Sequence, residues 1–400
     1  RNKQTNLYCG ESSFLDWREQ TYPKWMSNMD IYVSQNLGTN VVHYQTHKIL
    51  SKMAALLGEP HKQYDMIAGQ IKDAINKELW MEDKGYYAQY LYGKNFFTQS
   101  KRYEALGEAL AVLFDVADAK QSKMIISQSP LTEYGATCIY PQILGIPPYH
   151  NNAIWPFVQS YWNLAAAKVG NEKALNHGLA SIYRAAGLFL TNYENMVADN
   201  GDFKGTEINS HRMLWSMAGN LSMVYRVFMG MHFEENQLVF EPVIPKNYGG
   251  VKRLNNFKYR NATLDITVEG FGNQIEGVTI DGKEAVKAII PAAFTGKHTV
   301  NIKMKNNDFS ADAINLVENK FTLANPITKL DGDKISWKND ADAKAYNIYK
   351  NGKLVEKTGV AIYQIPDNNY AEYSVSAVDV AGQESFLSEP LIYSKMQPLI

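Results

Sequence analysis

Four hundred residues, 45% hydrophobic and 20% charged, suffice for two or three packed domains and exclude a disordered or low-complexity chain. Forty Lys plus Arg against 41 Asp plus Glu leave a formal charge of -1, so no net field draws the chain to nucleic acid or to an anionic membrane. No apolar run approaches the roughly 20 residues that span a bilayer, and the most apolar stretch, 105–114, is interrupted by Glu108. The chain opens on Arg1 with neither a Met nor a charged-then-apolar signal, which reads as the later part of a longer or processed polypeptide.

In chain order, the first feature is a loop, Gly10 to Trp25, crowded with acids and aromatics: Glu11, Phe14, Asp16, Trp17, Arg18, Glu19 and Gln20. Helical periodicity then begins. Thr39 to Leu57 repeats apolar residues on one face and stops at Gly58, and Pro60 opens a second helix to about Leu79. Strand character is confined to a possible ribbon near Tyr86 to Phe97. Helical spacing resumes over Tyr103 to Val116, Ala119 to Ser127, Ala153 to Val169, Glu172 to Leu190 and Asn209 to Gly230. That makes about seven helices by periodicity. A second acidic loop, Asn192 to Glu207, precedes the last of them and holds Glu194, Asp199 and Asp202.

After His232 the period shortens to two. Leu238 to Phe240, Tyr259 to Glu269, Ile275 to Ile280 and His298 to Met304 alternate apolar and polar residues, with Asp281-Gly282 as a turn. From about Asn315 a further set follows, with strands at Lys334 to Trp337, Ala345 to Tyr349 and Glu372 to Val378 and a hairpin turn at Asn351-Gly352. Tyr346 to Gly352 followed by Tyr373 to Gly382 resembles a fibronectin type III domain, which implies a spacer or stalk on an exported enzyme.

Either acidic loop alone is what a solvated helix cap looks like. Together they supply what glycosidic bond cleavage needs: one carboxylic acid to protonate the leaving oxygen and one carboxylate to activate water or attack the anomeric carbon. Glu11-Ser12, Asp16-Trp17-Arg18 and Trp25 resemble the acidic signature of glycoside hydrolase family 63 and the trehalases. Tyr193-Glu194-Asn195, Gly201 and Leu214 to Gly219 resemble the closing segment of the same six-hairpin glycosidases. The resemblance implies Asp16 as general acid and Glu194 as general base, with Glu207 and Glu11 as alternatives. It implies an inverting mechanism, with the two groups about 6.5–9.5 Å apart, and a pKa of Asp16 raised by burial or by Glu11 or Glu19. Tyr149 to Pro156 resembles the aromatic, amide-rich loop that lines a sugar subsite. Trp17, Arg18, Gln20, Tyr149, His150, Asn151, Trp155 and Trp215 are the substrate-binding candidates, and Trp155 reads equally as packing at a helix start.

The implied architecture is an all-α (α/α)6 toroid, present as the C-terminal part of the barrel over 1–232. An all-β sandwich follows over 233–312 and a fibronectin type III-like, Ig-like sandwich over 313–400. The substrate is expected to be an α-linked glucoside or mannoside, as oligosaccharide or glycoside. An α-L-rhamnosidase of the same barrel type and a non-catalytic carbohydrate-binding protein are the alternatives. No cofactor, metal, nucleic-acid partner or membrane span is expected. A secreted or periplasmic location and an N-terminal part of the same polypeptide are. Cys9 and Cys138 fit no metal or redox motif. His43 and His47, at i and i+4, lack a third ligand nearby, and Asp199-Asn200-Gly201-Asp202 reads as a turn rather than a calcium loop.

Overall fold

The computed structural model describes residues 1–12, 14–15, 17–310 and 313–395. Asp16 therefore lies outside the described residues. The helices are α1 (Asn28–Val33), α2 (Leu37–Leu56), α3 (Lys62–Glu78), α4 (Ala105–Leu113), α5 (Ala119–Gln128), α6 (Pro156–Val169), α7 (Glu172–Phe189) and α8 (Leu214–Ser222). Periodicity anticipates α2 to α8. It misses α1, whose six residues are too few to show a period and whose start is fixed by a capping box between Ser27 and Asp30. The last helix starts five residues later than expected, because 209–213 fold back on the acidic loop: Met213 donates its backbone N–H to Asn192 O at 2.8 Å.

Helix α2 packs on α3 and α4, α4 on α6, and α6 on α7 and α8. The result is a row α2–α4–α6–α8 covered by α3, α5 and α7. Caps set the element ends: Asn171 accepts the Ala174 N–H at the start of α7, and Gly170 closes α6 with φ +72°. Leu37, Val41, Ile71, Ile75, Val158, Trp162, Leu175 and Leu179 are buried in this layer. At the two ends of the row, apolar side chains stay exposed: Ile49, Met53 and Leu56 on α2, and Leu214, Met217 and Leu221 on α8.

Beyond α8 come a three-stranded sheet (Met231–Phe233, Gln237–Phe240, Ile289–Pro291) and a five-stranded one. The larger runs Val251–Tyr259, Ala262–Glu269, Gly296–Met304, Ile275–Ile280, Lys283–Glu284 in spatial order, with Ala262–Glu269 and Gly296–Met304 parallel. Leu264, Ile266 and Val268 face inward with Val300, Ile302 and Met304. One continuous buried cluster runs from Leu7 to Met304 and joins this sheet to the helices across His232. The last unit pairs a three-stranded sheet (Thr328–Asp331, Lys334–Trp337, Ile362–Gln364) with a four-stranded one (Lys353–Thr358, Ala343–Lys350, Ala371–Asp379, Leu391–Tyr393). They share a core of Ile335, Trp337, Tyr346, Ile348, Tyr373 and Val375. Asn351 and Gly352, at φ +50° and +73°, make the expected hairpin turn.

Candidate active site

Three loops meet at the N-terminal end of the helix row, ahead of α2, α6 and α8. The first, 10–22, is pinned from below. Asn36 Nδ2 donates to Gly10 O at 2.7 Å and Thr39 Oγ1 to Glu11 O at 2.9 Å. The Thr21 hydroxyl lies 3.3 and 3.4 Å from the carbonyl oxygens of Leu15 and Trp17, the neighbours of Asp16 in sequence. Buried Gln20 ties this loop to the second: its Nε2 donates to Pro147 O at 3.0 Å and its Oε1 accepts the Asn151 N–H at 2.9 Å.

In the second loop the Asn151 side chain accepts from Ile143 N at 2.7 Å and donates to the carbonyls of Ile143 and Ile146. Gln20 and Asn151, expected against sugar, are thus occupied with holding the loops. Trp155 Nε1 donates to Tyr149 O at 2.7 Å, and the indole is buried. The packing reading of Trp155 describes that position, and Trp215, 40% exposed, is the open ring of the pair.

The third loop presents Glu194. Its backbone N–H donates to Ser210 O at 2.9 Å and lies 3.2 Å from Asn209 Oδ1, while Asn209 Nδ2 donates to Asn195 O at 2.7 Å. The Glu194 residue is 5% exposed. The Tyr149 hydroxyl donates toward its Oε1 at 3.5 Å. Burial pushes the Glu194 carboxyl above its usual pKa, against the lowering effect of the Ser210 and Tyr149 contacts. Glu207, the alternative base, is solvent-exposed, and its backbone N–H donates to Pro148 O at 2.8 Å. Glu11 pairs with Arg18 at 3.1 Å, and Arg18 also reaches Asn28 at the start of α1.

Aromatic rings close the arrangement. Phe14 lies 5.0 Å from His150, 5.0 Å from Trp155 and 4.8 Å from Phe157, centroid to centroid. Trp17 meets Tyr149 edge-on at 5.3 Å, and Phe157 stacks on Trp215 at 4.9 Å. A groove of about 1060 Å³ between α6 and α8 is lined by Phe157 and Trp215, with Tyr161, Arg226 and His232 further along. Trp17, Gln20, Tyr149, His150, Asn151, Trp155, Glu194 and Trp215 are therefore one neighbourhood. Neither Phe14 nor Phe157 was among the binding candidates; their signal is a position two residues from Asp16 and from Trp155, beside the motifs.

The histidine pair lies apart from this site, and the Asp199–Asp202 segment of the third loop closes on itself. His43 stacks on Tyr8 at 3.9 Å and His47 Nε2 lies 3.2 Å from the Tyr8 hydroxyl. Asp202 N bonds Asn200 Oδ1 at 2.8 Å and Lys204 N bonds Asp202 Oδ1 at 3.0 Å, so that segment is a turn. Among the described residues, no group of three or more His, Cys, Asp or Glu is set to hold a metal ion. Nor is any described helix long and apolar enough to cross a membrane. Cys9 and Cys138 are free thiols.

Residues 1–129 match the family model of the bacterial alpha-L-rhamnosidase six-hairpin glycosidase domain. The six-hairpin glycosidase resemblance holds. It is carried by the segment containing the first loop and α1 to α5. Solved structures similar to the chain include the GH63 mannosylglycerate hydrolase from Thermus thermophilus, at 14% identity and TM-score 0.38 over 48% of this chain and 45% of that one. The GH78 family rhamnosidase of a Bacillus species matches at 15% identity and TM-score 0.39 over 72% of this chain and 28% of that one. Neutral trehalase from Saccharomyces cerevisiae matches at 11% identity and TM-score 0.37 over 49% and 38%. The chain spans less than half the length of the first solved structures it resembles. No curated protein matches the chain.

Proposed function

We propose that this chain carries the catalytic rim of an inverting glycoside hydrolase, with Asp16 as general acid and Glu194 as general base. The observation that carries the reading is buried Glu194, whose carboxylate faces the Tyr149 hydroxyl while the Tyr149 ring meets Trp17, next to Asp16 in sequence, at an aromatic rim that suits a sugar ring. Asp16 delivers a proton to the leaving oxygen as the anomeric C–O bond breaks. Glu194 takes a proton from the water that adds to the opposite face. A base with a raised pKa is a stronger base, provided it is ionised at the working pH. Trp17, Tyr149 and Trp215 contact the sugar. Arg18, Gln20, Asn151 and the buried rings of His150 and Trp155 support the groups that do.

The row of helices is read as part of an (α/α)6 toroid over 1–232, followed by a sandwich over 233–312 and a fibronectin type III-like unit over 313–400, in a secreted or periplasmic protein. The three-plus-four strand arrangement of the last unit supports that reading. The expected substrates are α-linked glucosides and mannosides. The family-model match over 1–129 favours a second reading, an α-L-rhamnoside. Turnover of aryl α-D-glucoside, α-D-mannoside and α-L-rhamnoside separates the two, and NMR of the first-formed anomer tests inversion. Asp16→Asn and Glu194→Gln should each lose turnover by about 10²-fold or more while still binding sugar. Sugar binding without turnover in the unaltered protein would instead identify a carbohydrate-binding protein.

A further inference from the structure

The resemblance to fibronectin type III implies a spacer, yet the last unit does not hang from a tether. Its connection, 313–322, is stitched along the helical layer. Asn315–Leu316 pairs in parallel with Pro130–Leu131, and Gln142 exchanges backbone bonds with Lys320 O at 2.7 Å and Thr322 N at 2.9 Å. Asn319 Nδ2 donates to Asn152 Oδ1 at 2.6 Å and to Asp199 Oδ1 at 2.7 Å, while Asp199 Oδ2 accepts from Asn152 Nδ2 at 3.0 Å. That network sits directly behind the second site loop, since Asn152 adjoins Asn151, and it also holds the third loop through Asp199.

The unit itself is seated against the first site loop. Tyr22, Met26, Ile31, Tyr90, Tyr92, Tyr349, Phe386 and Leu387 form a separate buried cluster. Trp25 Nε1 donates to Leu387 O at 2.8 Å, and Leu387 N donates to the Tyr92 hydroxyl at 2.9 Å. Arg102, 3% exposed, lays its guanidinium 3.8 Å over the Phe386 ring and donates to Pro141 O at 3.1 Å and Thr322 Oγ1 at 2.7 Å. A buried guanidinium is tolerated when its donors and its ring face are used this way. Lys101 pairs with Glu384 at 3.0 Å across the same contact. From this cluster a bonded path reaches the loop: Tyr90 OH donates to Thr21 O at 3.0 Å, and the Thr21 hydroxyl reaches the carbonyls of Leu15 and Trp17.

We infer that the C-terminal β-unit and its connection are a positioning element of the site, with Arg102, Phe386, Trp25 and Asn319 acting through the loops that carry Asp16, Tyr149 and Glu194. The inference rests on the glycosidase reading for its kinetic consequence and on geometry alone for its structural one. A site residue must be held within about half an ångström to work, and a loop packed on a sheet by rings and a buried Arg loses far more freedom than one facing solvent.

The test uses the intact protein and two readouts. Trp25→Phe keeps a ring and deletes the bond to Leu387; Asn319→Ala severs the network behind the second loop; Phe386→Leu removes the ring under Arg102. Amide hydrogen exchange should quicken at least tenfold in 10–26 for Trp25→Phe and Phe386→Leu, and in 146–155 for Asn319→Ala. Exchange in α3 and in the sheet containing Ala262–Glu269 should stay unchanged. On a turned-over aryl glycoside, kcat should fall tenfold or more with KM within threefold, and Phe386→Tyr should restore it. Unchanged exchange in the named loops overturns the inference, as does a variant with faster loop exchange and undiminished kcat. If Phe386→Leu fails to fold, Trp25→Phe and Asn319→Ala carry the test. Loss of the glycosidase reading shows instead as absent turnover in the unaltered protein, whereas the exchange result still reports on positioning.

Discussion

Replacing Glu194 by Gln tests the chemistry with little disturbance, because the amide keeps the shape of a residue that is 5% exposed and still accepts from Tyr149, 3.5 Å away. What disappears is the charge, and with it the ability to take a proton from water. A positioned base contributes about 10²–10⁴-fold, which at about 1.36 kcal/mol per decade raises the barrier by about 3–5 kcal/mol. Stability should respond differently. Burial raises the Glu194 pKa in the folded protein, so the folded state holds this proton more tightly than the unfolded chain does. A carboxyl shifted that way supports folding fully below its unfolded pKa, and the support is lost as pH rises through the folded value. At pH 7 the ionised carboxylate therefore opposes folding, and Glu194→Gln should melt no lower than the parent. Initial rates on an aryl glycoside and thermal unfolding at pH 7 measure the two quantities. Retention of more than about a tenth of kcat would refute a role as base, and a melting point lowered by several degrees would recast Glu194 as a structural brace.

Tyr149→Phe removes the hydroxyl that lowers the Glu194 pKa, so the acidic limb of the pH–rate profile should move to higher pH and kcat on that limb should fall; an unmoved limb excludes Tyr149 as a partner of the base. Glu104, 2% exposed, has its pKa pushed up to about 7 by burial, against the lowering bonds from Gly107 and Gly38. The raised value means stability present below the unfolded pKa and lost between about pH 4.5 and 7, on the order of 3 kcal/mol; urea unfolding at pH 5 and pH 8 should show a smaller difference for Glu104→Gln than for the parent. Glu384 carries the opposite sign: burial raises its pKa, but Lys101 and the Ser376, Tyr349 and Asn347 donors outweigh that and hold it below the usual value. Glu384→Gln should therefore destabilise the protein by about 1–3 kcal/mol at pH 7, a deficit that shrinks as the pH falls through the folded pKa; a pH-independent deficit would point to packing alone.

Seven helices were legible because each repeats its apolar residues over ten or so positions, and tertiary contacts agree with that local preference. The start of the last helix was not, since Asn209 and Ser210 bond Glu194 instead of continuing a helix. Val251–Tyr259 was missed for a local reason: the register shifts between Leu254 and Phe257, across Asn255 and Asn256, and the bulge breaks the period-two pattern. The expected strand from Tyr259 to Glu269 is instead a hairpin corner plus a strand, with Arg260 at φ +50° turning the chain. At the site, the resemblance to six-hairpin glycosidases pointed to Glu194, Tyr149 and Trp155, but the bracing work of Gln20 and Asn151 depends on loops more than 120 residues apart. The seating of Phe386 and Leu387 on the first loop had no sequence signal at all. Alternation tells which face of a strand is buried, and nothing about what buries it.

Three carboxylates differ in how far the fold answers their charge. Asp199 accepts from two amide side chains, Asn152 and Asn319, at 3.0 and 2.7 Å. Glu384 is met by the Asn347 amide at 2.9 Å, the Tyr349 hydroxyl at 2.6 Å and the Lys101 ammonium at 3.0 Å. Both have their charge answered by the protein, and both join segments distant in sequence. Glu194 is the more deeply buried residue, against an exposed Asp199 and a half-buried Glu384, yet among the described residues the side-chain donor bonded to it is one hydroxyl at the long distance of 3.5 Å. A carboxylate can accept about four hydrogen bonds, so capacity remains on its oxygens while burial denies it bulk water. The fold holds its backbone through Ser210 and Asn209 without quenching the charge. Stability alone favours saturating such a group or replacing it. An unsaturated, shielded carboxylate fixed by its backbone at an aromatic rim is suited instead to bind and deprotonate one water molecule beside a sugar.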